Sequence, residues 1–342
     1  MNQRKPAHQR LLVGFVLLFA LLALVVVVMD WKNIRSAFAQ ADWHMVPLAL
    51  LFTACSYACM SYGFAVVNRA VGIQMPRREL FLIGYVSTVI NHVLSAGGAA
   101  GYSLRFAAIR KHGYAVNDIV TASMLHFYFT SLGMLALLPI GIVTILFTHR
   151  LSRGMTTGIS IAGALLAALL CLATLLIFWR PLRLWLLHAT KRAVHRLIKR
   201  DISTTLDDFD ANLTRGIAAF RHQRAHLALL LLLVALDWSF SILALGACFD
   251  AIGEPLKLGV LISGFSIGTT AGVLSMVPGG LGVQEGSMAG IYALLGAPLH
   301  QAVVAAILYR VLYYFVPYLA SLSLYRRLLR NAGGEEGIVP EA

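Results

Sequence analysis

Charge is scarce in this chain. Only 13% of its 342 residues are charged and 59% are hydrophobic, with a mean hydropathy of +0.77. Soluble domains carry roughly a quarter charged residues, so this composition excludes an ordinary soluble domain. It predicts an all-α polytopic membrane protein. Acidic residues are scarcer than basic ones, 15 against 28, which leaves a net charge of +13. Such an excess can serve nucleic acid, but here most Lys and Arg lie in loops between apolar runs. That placement excludes a nucleic-acid partner and points to membrane topology and contact with anionic lipid. Cysteine is limited to Cys55, Cys59, Cys171 and Cys248, all within apolar runs and without metal-ligand spacing. The pattern predicts buried thiols, with no disulfide, no metal and no cofactor. The chain also lacks a P-loop, a GxSxG turn and an HExxH helix. Its extramembrane segments are too short for an ATPase domain. Transport by such a chain depends on a gradient, runs downhill or needs a partner.

Long apolar runs are what the chain does have. A spanning helix needs roughly 20 apolar residues, and segments 11–29, 46–67, 118–147, 157–179, 226–249 and 300–325 meet that length. The first run lacks a small-residue cleavage site and is expected to be an uncleaved helix. Two further runs are broken. Residues 80–95 lead into Ser95-Ala-Gly-Gly-Ala-Ala-Gly101, and 258–277 lead into Pro278-Gly279-Gly280. Short helices near 102–111 and 283–295 follow, ending at Gly113 and Gly296. If both broken runs are re-entrant hairpins and the N-terminus is cytoplasmic, 22 of the 28 basic residues fall inside. Only Lys32, Arg35, Arg150, Arg153 and Lys257 fall outside, and Arg310 stays within the membrane. Each half then reads span, span, hairpin, span, and the second half is inverted relative to the first. The expected repeats are 11–147 and 157–325 within one membrane domain, 1–325, with a cytoplasmic tail, 326–342, expected to be disordered. Inverted repeats with broken helices are a recurring transporter design. The insert 180–225 opens with a basic amphipathic helix, Arg180 to Arg200, expected on the cytoplasmic leaflet. The acidic patch Asp201 to Asp210 is placed to cap or pair with it.

The polar residues at membrane depth are the candidate site. Arg310 and Asp237 sit mid-run, where a charge costs about 2.5–3.5 kcal/mol on insertion scales, so each needs a partner or a watery cavity. Arg310 can pair with Asp237 or with Glu285, or the same groups can hold a lipid headgroup or a proton. Tyr309, Tyr313 and Tyr314 flank the arginine. In the second hairpin, Gly264, Gly268 and Gly272, then Gly282, Gly286 and Gly290, repeat at i+4, a spacing that lets the two arms approach closely. The tip, Pro278, Gly279, Gly280 and Gly282, exposes a helix N-terminus suited to an anion, with Gln284 and Glu285 in its first turn. Glu285 there competes with an anion, pairs with an arginine or takes up a proton. In the first hairpin, Gly84, Thr88, Asn91 and Ser95 form a small polar stripe before the Gly97-Gly98 tip. Arg105 and Arg110 follow as phosphate contacts or as topology charges. His126 and Asp118 are weaker candidates; a lone histidine on an apolar helix usually has its bonds met within the core.

Three stretches carry a family resemblance: Met276-Val-Pro-Gly-Gly-Leu-Gly-Val-Gln-Glu-Gly, Leu294-Leu-Gly-Ala-Pro-Leu, and Ala302 through Arg310 to Tyr314. Together they resemble the lysylphosphatidylglycerol synthase transmembrane, flippase-like family, and the helix pattern agrees over about 10–325. The resemblance implies movement of a phospholipid, anionic or aminoacylated, between leaflets of a bacterial inner membrane. It places Pro278, Gly279, Gly280, Gly282, Glu285 and Arg310 on the family's C-terminal motif, and Asn91, Gly98 and Arg105 on its N-terminal one. Relatives are often fused to a soluble aminoacyltransferase domain. The chain ends soon after its last span, so that domain is expected to be absent and a separate lipid synthase becomes a candidate partner. The sequence departs from the family where Ser95-Ala96 replaces the proline before the glycines, and around Leu125-His-Phe-Tyr-Phe. The expected function is therefore a lipid translocator. A membrane-embedded lipid-modifying enzyme using Glu285 as a general base, or a non-transporting partner of a synthase, is the alternative.

Overall fold

The computed structural model describes residues 35–36, 39–94, 99–148, 153–198 and 203–333. The first apolar run, the Gly97-Gly98 tip and the tail beyond 333 lie outside the described residues. Among those described there is no strand, and the chain is a succession of helices. We number them α1 (Val46–Ala70), α2 (Arg77–Leu94), α3 (Ala99–Arg110), α4 (Val116–Thr148), α5 (Arg153–Phe178), α6 (Arg180–Ile198), α7 (Ser203–His222), α8 (Arg224–Ala251), α9 (Leu258–Leu274), α10 (Val283–Leu294), α11 (Leu299–Arg310) and α12 (Val316–Gly333).

Four stretches are long and apolar enough to cross a membrane: Trp43–Ala70, Val116–Phe147, Arg224–Ala251 and Leu299–Leu324. They coincide with four of the expected spans. The expected span at 157–179 is the 26-residue helix α5. Large apolar side chains such as Leu51, Phe127, Phe147, Leu232, Leu274 and Phe315 are exposed on the helices. An apolar belt of this kind suits lipid, because hydrocarbon imposes no cost on exposing it. The chain is a multi-pass membrane-embedded protein.

The two broken runs form helical hairpins, α2–α3 and α9–α10. Their second arms have 12 residues each, about 18 Å at helical rise and short of a hydrocarbon core roughly 30 Å thick. α1 and α8 lie side by side through the centre and share the most extensive contact in the fold. The first hairpin packs on α12 and the second on α4. In α2, Tyr85 Oη donates to the carbonyl of Pro317 in α12 at 3.0 Å. In α9, Ser263 Oγ donates to the carbonyl of Gly141 in α4 at 2.9 Å. This packing brings the second hairpin's tip against the C-terminal end of α2.

The hairpin α9–α10 closes through only one of its two glycine stripes. Added Cβ atoms at Gly264, Gly268 and Gly272 would run into Tyr292, Met288 and Gln284 of α10. Gly286 and Gly290 have open space around them. The expectation that both stripes serve arm packing is therefore corrected. Small residues on α9 receive large ones on α10, and a small residue on both sides would leave a void.

The insert forms two helices, and the acidic residues of α7 pair with the basic helix α6, one of the two roles expected of them. Arg183 Nε bonds Asp210 Oδ1 at 2.6 Å, Arg183 Nη2 bonds Thr214 at 2.8 Å, and Lys191 pairs with Asp207 at 2.7 Å. Arg183 and Asp210 are both buried, so this pair clips the two helices together. Gly216 of α7 lies against Thr121 and Leu125, which docks the insert on α4.

Candidate functional site

The second hairpin tip is built from residues that must be glycine. Gly279, Gly280 and Gly282 have φ of 61°, 66° and 77°, a left-handed region that costs other residues about 1–2 kcal/mol. Gly279 has a second constraint, since a Cβ there would lie 2.7 Å from the carbonyl oxygen of His92. The tip thus rests on the C-terminal end of α2, and the two hairpins meet.

Arg310 holds this tip from behind. Its Nε pairs with Glu285 Oε1 at 2.9 Å, its Nη1 donates to Gln284 Oε1 at 3.3 Å, and its Nη2 donates to the carbonyl of Gly279. The guanidinium lies 4.3 Å from the centroid of the Tyr314 ring. All three nitrogens are committed to the segment 279–285. The other oxygen of Glu285 accepts the N–H of Gly282 at 2.8 Å, which satisfies an otherwise orphaned donor at the start of α10. Of the partners weighed from sequence, Arg310 takes Glu285 and leaves Asp237 alone. The helix N-terminus is already occupied by a carboxylate.

Immediately after Arg310 the helix widens into a π turn, Val311–Phe315. Pro317 supplies a cause, because it has no N–H to offer the carbonyl of Tyr313 four residues earlier. Tyr57 Oη donates to that carbonyl at 3.1 Å instead. The extra residue turns Tyr309, Tyr313 and Tyr314 toward one side, where Tyr309 and Tyr313 stack at 4.9 Å.

That side faces a cavity of about 430 Å³ between the two hairpins, α1, α4, α8 and α11. Its lining includes Asn91, His92, Arg105, His126, Asp237, Trp238, Thr269, Gly279, Gly280, Gln284 and the three tyrosines. Arg310, Glu285, Pro278 and Gly282 are not among the lining residues. Glu285 and Arg310 therefore pair with each other outside the cavity lining and buttress its wall.

Arg105 is the cation that faces the space. It is 2% exposed, so it is no loop charge, and the topology reading of this residue is corrected. Its Nε donates to Ser87 Oγ at 2.7 Å and its Nη2 reaches Thr88 Oγ1 at 3.5 Å. The guanidinium lies 4.5 Å over the Phe64 ring and 5.3 Å from Tyr102. Among the described residues no carboxylate lies within ion-pair range of it. Asn91 lines the cavity but uses Oδ1 to accept the N–H of Gly101 at 2.7 Å, fastening the arms of the first hairpin. His126 accepts no charge partner and bonds the carbonyl of Met60 at 3.2 Å. Thr269 Oγ1 is buried in the wall without a partner among the described residues.

Asp237 is 3% exposed and sits in a cluster of hydroxyls. Ser56 Oγ donates to its Oδ1 at 2.5 Å. Ser56 in turn lies 2.7 Å from Tyr313 Oη and 3.1 Å from Ser241 Oγ, and Ser241 lies 2.8 Å from Tyr313. No cation lies within ion-pair range of Asp237 among the described residues. Sequence reasoning overlooked Ser56, Ser241, Ser87 and Tyr57. Small polar residues in an apolar run carry little signal until their partners are known. Among the described residues no group of His, Cys, Asp and Glu forms a metal site.

The family described as the lysylphosphatidylglycerol synthase TM region matches residues 11–321. The chain belongs to that family. It is also similar to two proteins of Methanothermobacter thermautotrophicus, each named "UPF0104 membrane protein". One is 24% identical over 83% of this chain and 83% of its own length. The other is 22% identical over 86% of this chain and 88% of its own.

Proposed function

We propose that this family member moves a phospholipid, or a related phosphate-bearing lipid, between the leaflets of a bacterial inner membrane. The observation that carries the reading is Arg105, a buried guanidinium without a carboxylate, facing a largely apolar cavity between two hairpins. A buried charge without a counter-ion is costly, and an arginine fork fits a phosphate. The apolar remainder of the wall suits acyl chains. Anionic or aminoacylated phospholipids are the partners, with a separate lipid synthase as the source of a modified one. In this reading both hairpins are re-entrant, and both termini lie in the cytoplasm where the basic loops gather.

The enzymatic alternative loses its general base. Glu285 is bonded to Gly282 and Arg310 and lies outside the cavity lining, so it has no path to a substrate proton there. The test of translocation is leaflet exchange of a labelled phospholipid in proteoliposomes. Exchange well above that of protein-free liposomes is expected. Equal rates, with the protein folded and inserted, overturn the reading.

A further inference from the structure

The cavity holds one positive and one negative side chain, and they are not paired with each other. Arg105 and Asp237 are both buried, both line the space, and neither has a charged partner among the described residues. Empty, the cavity sums to zero charge. A phosphodiester docked on Arg105 changes that sum to minus one, in a site where an uncompensated charge is costly. We infer that Asp237 takes up one proton for each anionic headgroup that docks on Arg105, which makes the chain a proton-coupled carrier of anionic phosphodiesters. The inference rests on the lipid reading above and names its coupling ion. The proton comes from water and adds to a carboxylate oxygen of Asp237. It leaves by the reverse step when the headgroup departs.

The two carboxylates of the region differ in the kind of partner they have. Glu285 accepts from an N–H and a guanidinium, which only donate, so neither partner offers an acceptor to an acid proton. Asp237 is bonded through Ser56 to Ser241 and Tyr313, hydroxyls that rotate to donate or accept. Those partners satisfy both the charged and the neutral acid. Other titratable groups face Asp237 or its cavity. Tyr57 and Cys59 come from α1, Tyr309 and Tyr313 from α11 and the π turn, His92 from α2, and His126 from α4. The two histidines are the competing proton acceptors. His92 Nδ1 is bonded to Tyr57 Oη at 3.0 Å and His126 to a backbone carbonyl, so each already has a fixed partner.

The test is calorimetric titration of the full-length protein in detergent with dihexanoyl-phosphatidylglycerol at neutral pH, in two buffers of different ionisation enthalpy. Wild type is expected to take up about one proton per lipid bound, and Asp237→Asn to bind lipid with no uptake. Undiminished uptake by D237N assigns the proton to a histidine and overturns the inference, as does lipid binding by wild type without uptake. Where D237N fails to fold, the double variant His92→Gln/His126→Gln decides the matter: retained uptake keeps the proton on Asp237, and lost uptake overturns the inference. Absence of binding of both the lipid and its deacylated headgroup by wild type overturns the lipid reading and this inference with it. Glycerophosphoglycerol, the deacylated headgroup, is titrated in parallel. Proton-linked binding of the headgroup together with weaker or absent lipid binding overturns the lipid reading and leaves the coupling standing.

Discussion

Arg105, buried, and Arg310, half-buried, are both arginines in membrane-embedded helices, and the fold holds them in opposite ways. Arg310 has a carboxylate, an amide and a backbone carbonyl on its three nitrogens, all from the hairpin tip. Arg105 has two hydroxyls, an aromatic ring beneath it and, among the described residues, no acid. One guanidinium is consumed in holding structure, and the other keeps its charge for the cavity. The difference teaches that depth in the membrane identifies a costly residue, while the partner decides what the cost sustains. A paired buried arginine is a fastener; an unpaired one that faces space is a binding group.

Removing Arg105 tests the comparison most severely. Arg105→Ala is expected to lower lipid binding and leaflet exchange on the order of 100-fold, the loss of one or two hydrogen bonds to a charged group. Arg105→Lys keeps the charge but loses the planar fork, so it recovers only part. Binding by titration and exchange in proteoliposomes measure both. Wild-type binding by the alanine variant would remove Arg105 from the site.

Removing the partner of Arg310 gives the opposite signature. Glu285→Ala leaves a guanidinium stranded and the Gly282 N–H unsatisfied. We expect a stability loss of about 3 kcal/mol, at the lower edge for broken buried pairs because both side chains retain some exposure. Adding Arg310→Met in the same chain should restore part of it, since no charge is then left unpaired. Unfolding midpoints in detergent across the four variants give the coupling. Additive losses would mean that the pair is not a fastener.

Much of this comparison was legible in the sequence, and its decisive part was not. The glycines at 279, 280 and 282 and the preceding proline announce a turn that L side chains cannot make, so the hairpin tip could be read directly. Arg310, mid-run, announced a buried charge. Arg105 did not, because it follows a break, where arginines commonly serve topology. Its burial depends on Ser87 and Thr88 one hairpin arm away and on Phe64 in another helix. The hydroxyl cluster on Asp237 joins residues 181, 185 and 257 positions apart. No periodicity in a single helix reports such a pairing.

The two glycine stripes of the second hairpin offer a comparison of the same kind at smaller scale. Gly268 receives Met288, so Gly268→Val should force the arms apart at about 1–3 kcal/mol, the usual cost of overpacking. Gly290 meets nothing, so Gly290→Ala should be neutral or raise stability by up to roughly 1 kcal/mol through helix propensity. Thermal unfolding of the two variants separates a packing glycine from a spectator. Equal losses would restore the reading in which both stripes close the hairpin.

The smallest effect concerns the π turn that aims the tyrosines. Tyr57→Phe removes the donor that serves the Tyr313 carbonyl in place of the absent Pro317 N–H, and an unmet buried carbonyl costs on the order of 1 kcal/mol. The same substitution also removes the bond to His92 Nδ1, so the single variant cannot apportion the loss. Pro317→Ala restores the N–H and lets the helix close its own ladder. In that background the carbonyl no longer needs Tyr57, and Tyr57→Phe should cost less by about the value of one hydrogen bond. The non-additivity of the cycle isolates the carbonyl contact from the histidine contact. An additive cycle would mean that Pro317 is not the reason the helix opens beneath Arg310.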